Sequence, residues 1–125
     1  MKNINHSIEF ITLCKSAKKK IKEISTDEVY KKNKNNHTLY LFDVRDYYEY
    51  NSGHICNAQF LSKGWIEAKI HNFVSNKFSF IILYCGSGNR SALAAENLQK
   101  MGYINVFSMK GGIKSWIQEG KPIII

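Results

Sequence analysis

Paired cysteines are missing from this chain. Its three cysteines, Cys14, Cys56 and Cys85, are odd in number and show no CxxC spacing, which argues against a disulfide framework and a zinc site; no metal is expected. Also missing is any hydrophobic run long enough to cross a bilayer. No stretch interleaves arginine with aromatic residues as nucleic-acid-binding surfaces do, so no nucleic-acid partner is expected. What remains, at 44% hydrophobic and 22% charged in 125 residues, is the composition of one globular domain able to bury a core.

Acidic residues are few, 10 against 18 lysines and arginines, for a net charge of +8. A concentrated excess would point to an acidic partner, but this one is spread. Residues 1–20 hold five lysines against Glu9, net +4, and the other 105 residues hold 13 against nine, again net +4. Within this basic extension, residues 6–21 place Phe10, Leu13, Cys14, Ala17 and Ile21 on one helical face and Lys15, Lys18 and Lys19 on the other. Three uses are open: packing on its own domain, docking a partner or a membrane surface, or organellar targeting. Lysine in place of arginine, few serines and Glu9 fit targeting poorly.

From residue 21 onward strands alternate with helices. Lys22 to Ser25 reads as a first strand, with Ser25 or Thr26 capping a helix over 27–33. Lys31 to His37 is a polar loop. Leu39 to Val44 is the second strand, Asp46 to Asn51 a short helix ended by Gly53, and Ala58 to Leu61 the third strand. Helical spacing covers Trp65 to Val74. The unbroken apolar run Ser79 to Tyr84 is a strand buried on both faces, the helix after Arg90 continues to about Met101, Asn105 to Met109 is the fifth strand, and Gly112 to Gln118 the last helix. This order predicts an α/β fold: a five-stranded, mainly parallel sheet with helices on both faces and ligands at the carboxyl ends of the strands.

The most informative stretch is the turn from that fourth strand into its helix. Cys85 ends the strand, and Gly86-Ser87-Gly88-Asn89-Arg90 must reverse the chain within five residues. Amides of such a loop can converge on one point, and the helix N-terminus adds partial positive charge there. This nest would hold an anion, and it favours the thiolate of a cysteine facing it. The alternative is that Cys85 is a small buried hydrophobe ending a strand. Two glycines and an arginine in the next five residues weigh against that reading, since a packing cysteine needs none of them.

Cys85-Gly86-Ser87-Gly88-Asn89-Arg90-Ser91-Ala92 resembles the active-site loop of single-domain rhodanese-type sulfurtransferases. Two more stretches fit that family: Asp43-Val44-Arg45 with Glu49-Tyr50 and Gly53-His54-Ile55-Cys56-Asn57-Ala58, and Gly102 to Phe107 leading to Gly111-Gly112-Ile113 and Trp116. The likeness covers roughly residues 22–122, in order. It implies a rhodanese-like domain over residues 21–125 after the extension, and a thiosulfate sulfurtransferase activity without cofactor. A small anionic donor would leave its outer sulfur on Cys85 as a persulfide, for cyanide or a thiol to accept. A sulfur-relay protein is a further partner, and a reducing, cytoplasmic setting suits a thiolate nucleophile.

Parallel strands would deliver Arg45, Lys63, Arg90 and Lys110 to the same edge as Cys85, where with the amides of Gly86, Ser87, Gly88 and Asn89 they could surround a substrate anion. For Arg90 a second role, pinning the loop to a carboxylate, stays open. Asp43, His54, Gly111, Gly112 and Trp116 are expected to be structural. His54 and Cys56 fall towards the opposite edge, so Cys56 is a poor resolving thiol; it stands where the family usually has proline, and Asn57 where it has glycine. Two rival functions remain. One is a non-enzymatic persulfide carrier or interaction module. The other is a cysteine phosphatase or arsenate reductase, whose loops of this architecture place one more residue between cysteine and arginine than the four found here.

Overall fold

The computed structural model describes residues 5–36 and 38–125. The first four residues of the basic extension, and His37 of the polar loop, lie outside them. In chain order the elements are α1 (Ile8–Lys20), β1 (Lys22–Ile24), α2 (Thr26–Asn35), β2 (Tyr40–Asp43), α3 (Tyr47–Ser52), β3 (Gln59–Phe60), α4 (Ile66–Lys69), β4 (Ile81–Tyr84), α5 (Asn89–Lys100), β5 (Val106–Met109) and α6 (Gly112–Gln118). The strands form one sheet in the order β1-β5-β4-β2-β3, with every neighbouring pair parallel. The central strand β4 is buried at all four positions, as an apolar strand covered on both faces must be.

Two cores flank the sheet. One packs Ile66 and Ile70 together with Ala94, Ala95 and Leu98 of α5 against Phe42, Ile81 and Leu83. The other packs Val29 of α2 and Ile113 and Trp116 of α6 against Leu41, Ile82 and Tyr84. Alternation along β4 thus sends Ile81 and Leu83 to one core and Ile82 and Tyr84 to the other. Each fully buried aliphatic or aromatic side chain contributes about 1.5–3 kcal/mol by leaving water.

Two local differences from the sequence reading have physical causes. The polar loop expected from Lys31 is helical through Asn35, because the buried Asn33 donates from Nδ2 to the Cys56 carbonyl at 2.7 Å and holds the last turn in place. The helix expected over 65–74 is a single α-turn, α4, followed by a 3₁₀ turn at Ile70–Asn72. The tighter winding sets Phe73 edge-on to Phe42 at 5.6 Å while Val74 stays buried. Asn57 has φ of +71°, a left-handed turn that asparagine tolerates better than most residues other than glycine.

Helix α1 starts on Ser7, whose Oγ accepts the Phe10 N–H at 3.0 Å, and ends on Lys18, Lys19 and Lys20, which suit the negative end of the helix dipole. Cys14 and Ala17 are buried on its inner face, and Lys20 pairs with Glu96 of α5 at 3.5 Å. Leu13 stays exposed, as do Ile8 and Ile11. No helix among the described residues is long and apolar enough to cross a membrane.

Candidate active site

Gly88 makes the loop possible. Its φ of +95° at the N-cap of α5 turns the chain so that the amides on either side of the helix start point at one atom. That atom is the Sγ of Cys85, which accepts the N–H of Gly88 at 3.2 Å and of Ser91 at 3.3 Å. Hydrogen bonds donated to sulfur stabilise negative charge on it, and the 12-residue helix α5 adds the positive end of its dipole. The amides of Gly86, Ser87, Asn89 and Arg90 donate to no group among the described residues. Cys85 itself is 1% exposed, while Ser87 forms the exposed tip of the loop.

The outside of the loop is clasped by α6. Ile113 N–H donates to the Cys85 carbonyl at 2.9 Å and Lys114 N–H to the Gly86 carbonyl at 3.0 Å. Two otherwise unpaired amides at a helix start are thereby satisfied by the carbonyls of the cysteine loop. So close an approach demands glycine at 112, which has φ of +64°, because a Cβ there would run into the Gly86 carbonyl. Gly111, with φ of +78°, forms the N-cap of α6.

Arg90, for which contact with the anion and pinning of the loop both stood open, is paired with a carboxylate here. Its Nη1 donates to Glu49 Oε1 at 2.9 Å and its Nη2 to Oε2 at 3.4 Å, which ties the head of α5 to α3. Glu49 Oε1 also accepts the Asp46 N–H at 3.0 Å. Burial alone would raise the Glu49 carboxyl, but the hydrogen bonds from Arg90 and Asp46 and the charges of Arg90 and Arg45 hold it below the usual range. A depressed folded value adds stability that is present above the unfolded value and lost as pH falls through the folded one. In urea unfolding, Glu49→Gln is therefore less stable than the wild type at neutral pH, by under about 1 kcal/mol for a partly exposed pair. That difference closes as pH falls through the Glu49 range; one that persists in acid would assign it to something other than the charge.

Arg45, expected beside the anion, is paired with Asp43. Its Nη2 donates to Asp43 Oδ2 and to the Gly53 carbonyl, both at 2.7 Å, and its Nε to Asp43 Oδ1 at 2.9 Å. The cause is Asp43, which is fully buried at the end of β2 and needs a cation within reach. The pair joins β2 to the end of α3. Lys63 and Lys110 follow the ends of β3 and β5; Lys63 is half-buried and Lys110 exposed, and neither forms an ion pair among the described residues. His54 stacks on Tyr50 at 3.8 Å, its Nδ1 lies 2.9 Å from the Tyr50 carbonyl, and its backbone bridges to Ile124. Trp116 is buried, and its indole N–H donates to the Pro122 carbonyl at 2.8 Å.

Of the other thiols, Cys56 is exposed and Cys14 buried. Burial pushes the Cys14 thiol up, Lys18 pulls it back in part, and the nearby Cys85 adds to the rise. Of two surface cavities, one of about 590 Å³ lies between the end of α2 and the starts of β2 and β4, and one of about 330 Å³ between α2, Ile55–Asn57 and Trp116; Cys85 lines neither. No cluster able to hold a metal ion occurs among the described residues.

Two site neighbours carry no clear signal in the spacing. Ser91 and Ser108 are both fully buried, and their hydroxyl oxygens lie 2.7 Å apart. The Ser91 Oγ is 3.4 Å from Cys85 Sγ. Ser108 betrays itself in sequence only as a hydroxyl inside the apolar run Val106–Met109.

A family model described as a rhodanese-like domain matches residues 25–119. The chain is 31% identical over 96 residues to the candidate sulfur carrier protein YrkF of Bacillus subtilis, covering 77% of this chain and 51% of that one, so it spans about half that relative's length. It is 28% identical over 104 residues to a sulfurtransferase of Allochromatium vinosum, covering 83% of this chain and 95% of the relative. Among solved structures, a Rhodopseudomonas palustris protein of unknown function, described as a possible tyrosine phosphatase, aligns with a TM-score of 0.83 at 25% identity. That alignment covers 99% of this chain and 98% of the other.

Proposed function

The chain belongs to the family of rhodanese-like domains, and we propose that within it this protein transfers sulfur through a persulfide on Cys85. One observation carries the reading. Sγ already has two N–H donors, from Gly88 and Ser91, while four further amides of the same loop have no acceptor among the described residues. The first set supports a thiolate nucleophile, and the second suits a small anion bonded to it.

The chemistry runs in two displacements. The Cys85 thiolate attacks the outer sulfur of a donor such as thiosulfate; the donor S–S bond breaks, sulfite leaves with the electron pair, and the persulfide anion remains. Cyanide or a thiolate then attacks that outer sulfur, and the bonding pair returns to Sγ. With Cys85 only 1% exposed, the approach suits a slender donor presented end-on. Lys63 and Lys110 offer positive charge near the strand ends where an anion arrives. Neither displacement calls for a metal or an organic cofactor, and a reducing, cytoplasmic setting would keep the thiol available.

Phosphatase chemistry fits less well. It needs an arginine facing the oxyanion, whereas Arg90 is engaged with Glu49, and only four residues separate Cys85 from Arg90. The carrier reading needs the same persulfide and differs only in whether the protein turns over.

Intact mass after incubating reduced protein with thiosulfate tests the proposal. The wild type gains one sulfur, about 32 Da, cyanide removes it, and Cys85→Ser gains nothing. Continuous thiocyanate release separates an enzyme from a single-use carrier. No mass gain from thiosulfate, polysulfide or a desulfurase-generated persulfide would overturn the reading.

A further inference from the structure

A fully buried hydroxyl inside an otherwise apolar strand is out of place for packing alone, where valine or alanine would serve. Ser108 of β5 is 0% exposed, and the only partner of its hydroxyl among the described residues is the Ser91 hydroxyl, at 2.7 Å. Ser91, at the head of α5, is also 0% exposed and stands between Ser108 and Cys85. The two serines lie 17 residues apart in the chain, and they meet because β5 lies beside β4 under α5.

We propose that Ser108 is a positioning residue for the sulfur chemistry: its hydroxyl aims the Ser91 hydroxyl proton at Cys85 Sγ. The inference rests on reading Cys85 as the nucleophile, and it follows from counting protons along the chain of three groups. With Cys85 as a thiol, either the S–H donates to Ser91 Oγ and Ser91 to Ser108 Oγ, which leaves the Ser108 proton without an acceptor, or the serines donate towards sulfur and the S–H is left unused. With Cys85 as a thiolate the chain reverses: Ser108 donates to Ser91, Ser91 donates to Sγ, and every proton is used. Burial makes an unused donor unfavourable. The serine pair is thus fully used only when the Ser91 hydroxyl points at Sγ and meets negative charge there.

The same alignment acts when the persulfide is discharged. As the acceptor forms its bond to the outer sulfur, the S–S bond breaks and its electron pair returns to Sγ. There the Ser91 O–H, with the Gly88 and Ser91 amides, meets the charge without any proton being transferred. Ser108 touches neither sulfur nor substrate in this account. It removes the alternative orientation of Ser91.

The resting protein, without any sulfur donor, provides the test. Ultraviolet thiolate absorbance of Cys85 is taken at neutral pH as the difference between each variant and its Cys85→Ser counterpart, with thermal melting as a check that each is folded. Ser108→Ala lowers the thiolate-to-thiol ratio about fivefold, the weight of one hydrogen bond. In a Ser91→Ala background the further change Ser108→Ala has no effect, because the intermediate link is already gone. Three results would overturn the proposal: no thiolate signal in the wild type, an unchanged signal in Ser108→Ala, or a full-sized Ser108 effect in the Ser91→Ala background. A protein that takes up no sulfur yet shows the Ser108-dependent thiolate would sink the persulfide reading and leave the hydroxyl chain standing.

Discussion

Gly112→Ala is expected to lower sulfur-transfer turnover on the order of 100-fold, because it pushes the cysteine loop off its position by about 1 Å. The added Cβ would lie 2.6 Å from the Cys85 carbonyl oxygen and 2.5 Å from the Gly86 carbonyl carbon, with the Gly86 oxygen closer still. These are backbone atoms with no rotamer to escape into. Relief requires α6 or the loop to move, which breaks the hydrogen bonds from Ile113 and Lys114. Two hydrogen bonds at about 1 kcal/mol each, with about 1 kcal/mol for alanine in a left-handed conformation, amount to roughly 3 kcal/mol of stability. Gly64→Ala is the control, since a Cβ there meets nothing within 4 Å. Thiocyanate release and urea unfolding of the two variants decide the matter; equal turnover would show that α6 does not hold the loop.

Asp43→Ala should produce the largest loss of stability of any single change considered, about 3–5 kcal/mol. Asp43 is fully buried and accepts both side-chain and main-chain N–H groups of Arg45, so its removal strands the guanidinium of a residue that is itself 8% exposed. Replacing both partners, as Asp43→Leu with Arg45→Met, leaves no unpaired charge and recovers much of the loss. Urea denaturation measures both. Turnover in the double variant then separates two roles for Arg45. Activity that returns with stability fits a residue that builds the end of β2. A folded double variant that stays inactive would return Arg45 to the substrate.

Much of the site was legible because its signals are local. The run Ile81–Tyr84, the glycines of the loop and the alanine-rich start of α5 specify strand, turn and helix from short-range sterics and periodicity, and they place Cys85 at the junction. The parallel sheet follows from the alternation of strands and helices. The charged residues were harder to assign. Arg45, Arg90, Lys63 and Lys110 all follow the ends of strands, and position along the chain says nothing about which of them has a carboxylate within reach. Glu49 lies 41 residues from Arg90, and its pairing became visible only in space.

The sequence by itself determined the α/β alternation, the cysteine at the head of a helix and the glycines that permit the loop, since each depends on backbone conformation over a few residues. Only the tertiary structure decided that α1 lies on α5, that two arginines pair with Glu49 and Asp43, and that Ser108 reaches Ser91. These are contacts between segments distant in the chain, formed when burial leaves a charge or a hydroxyl no partner but the one that packing brings beside it.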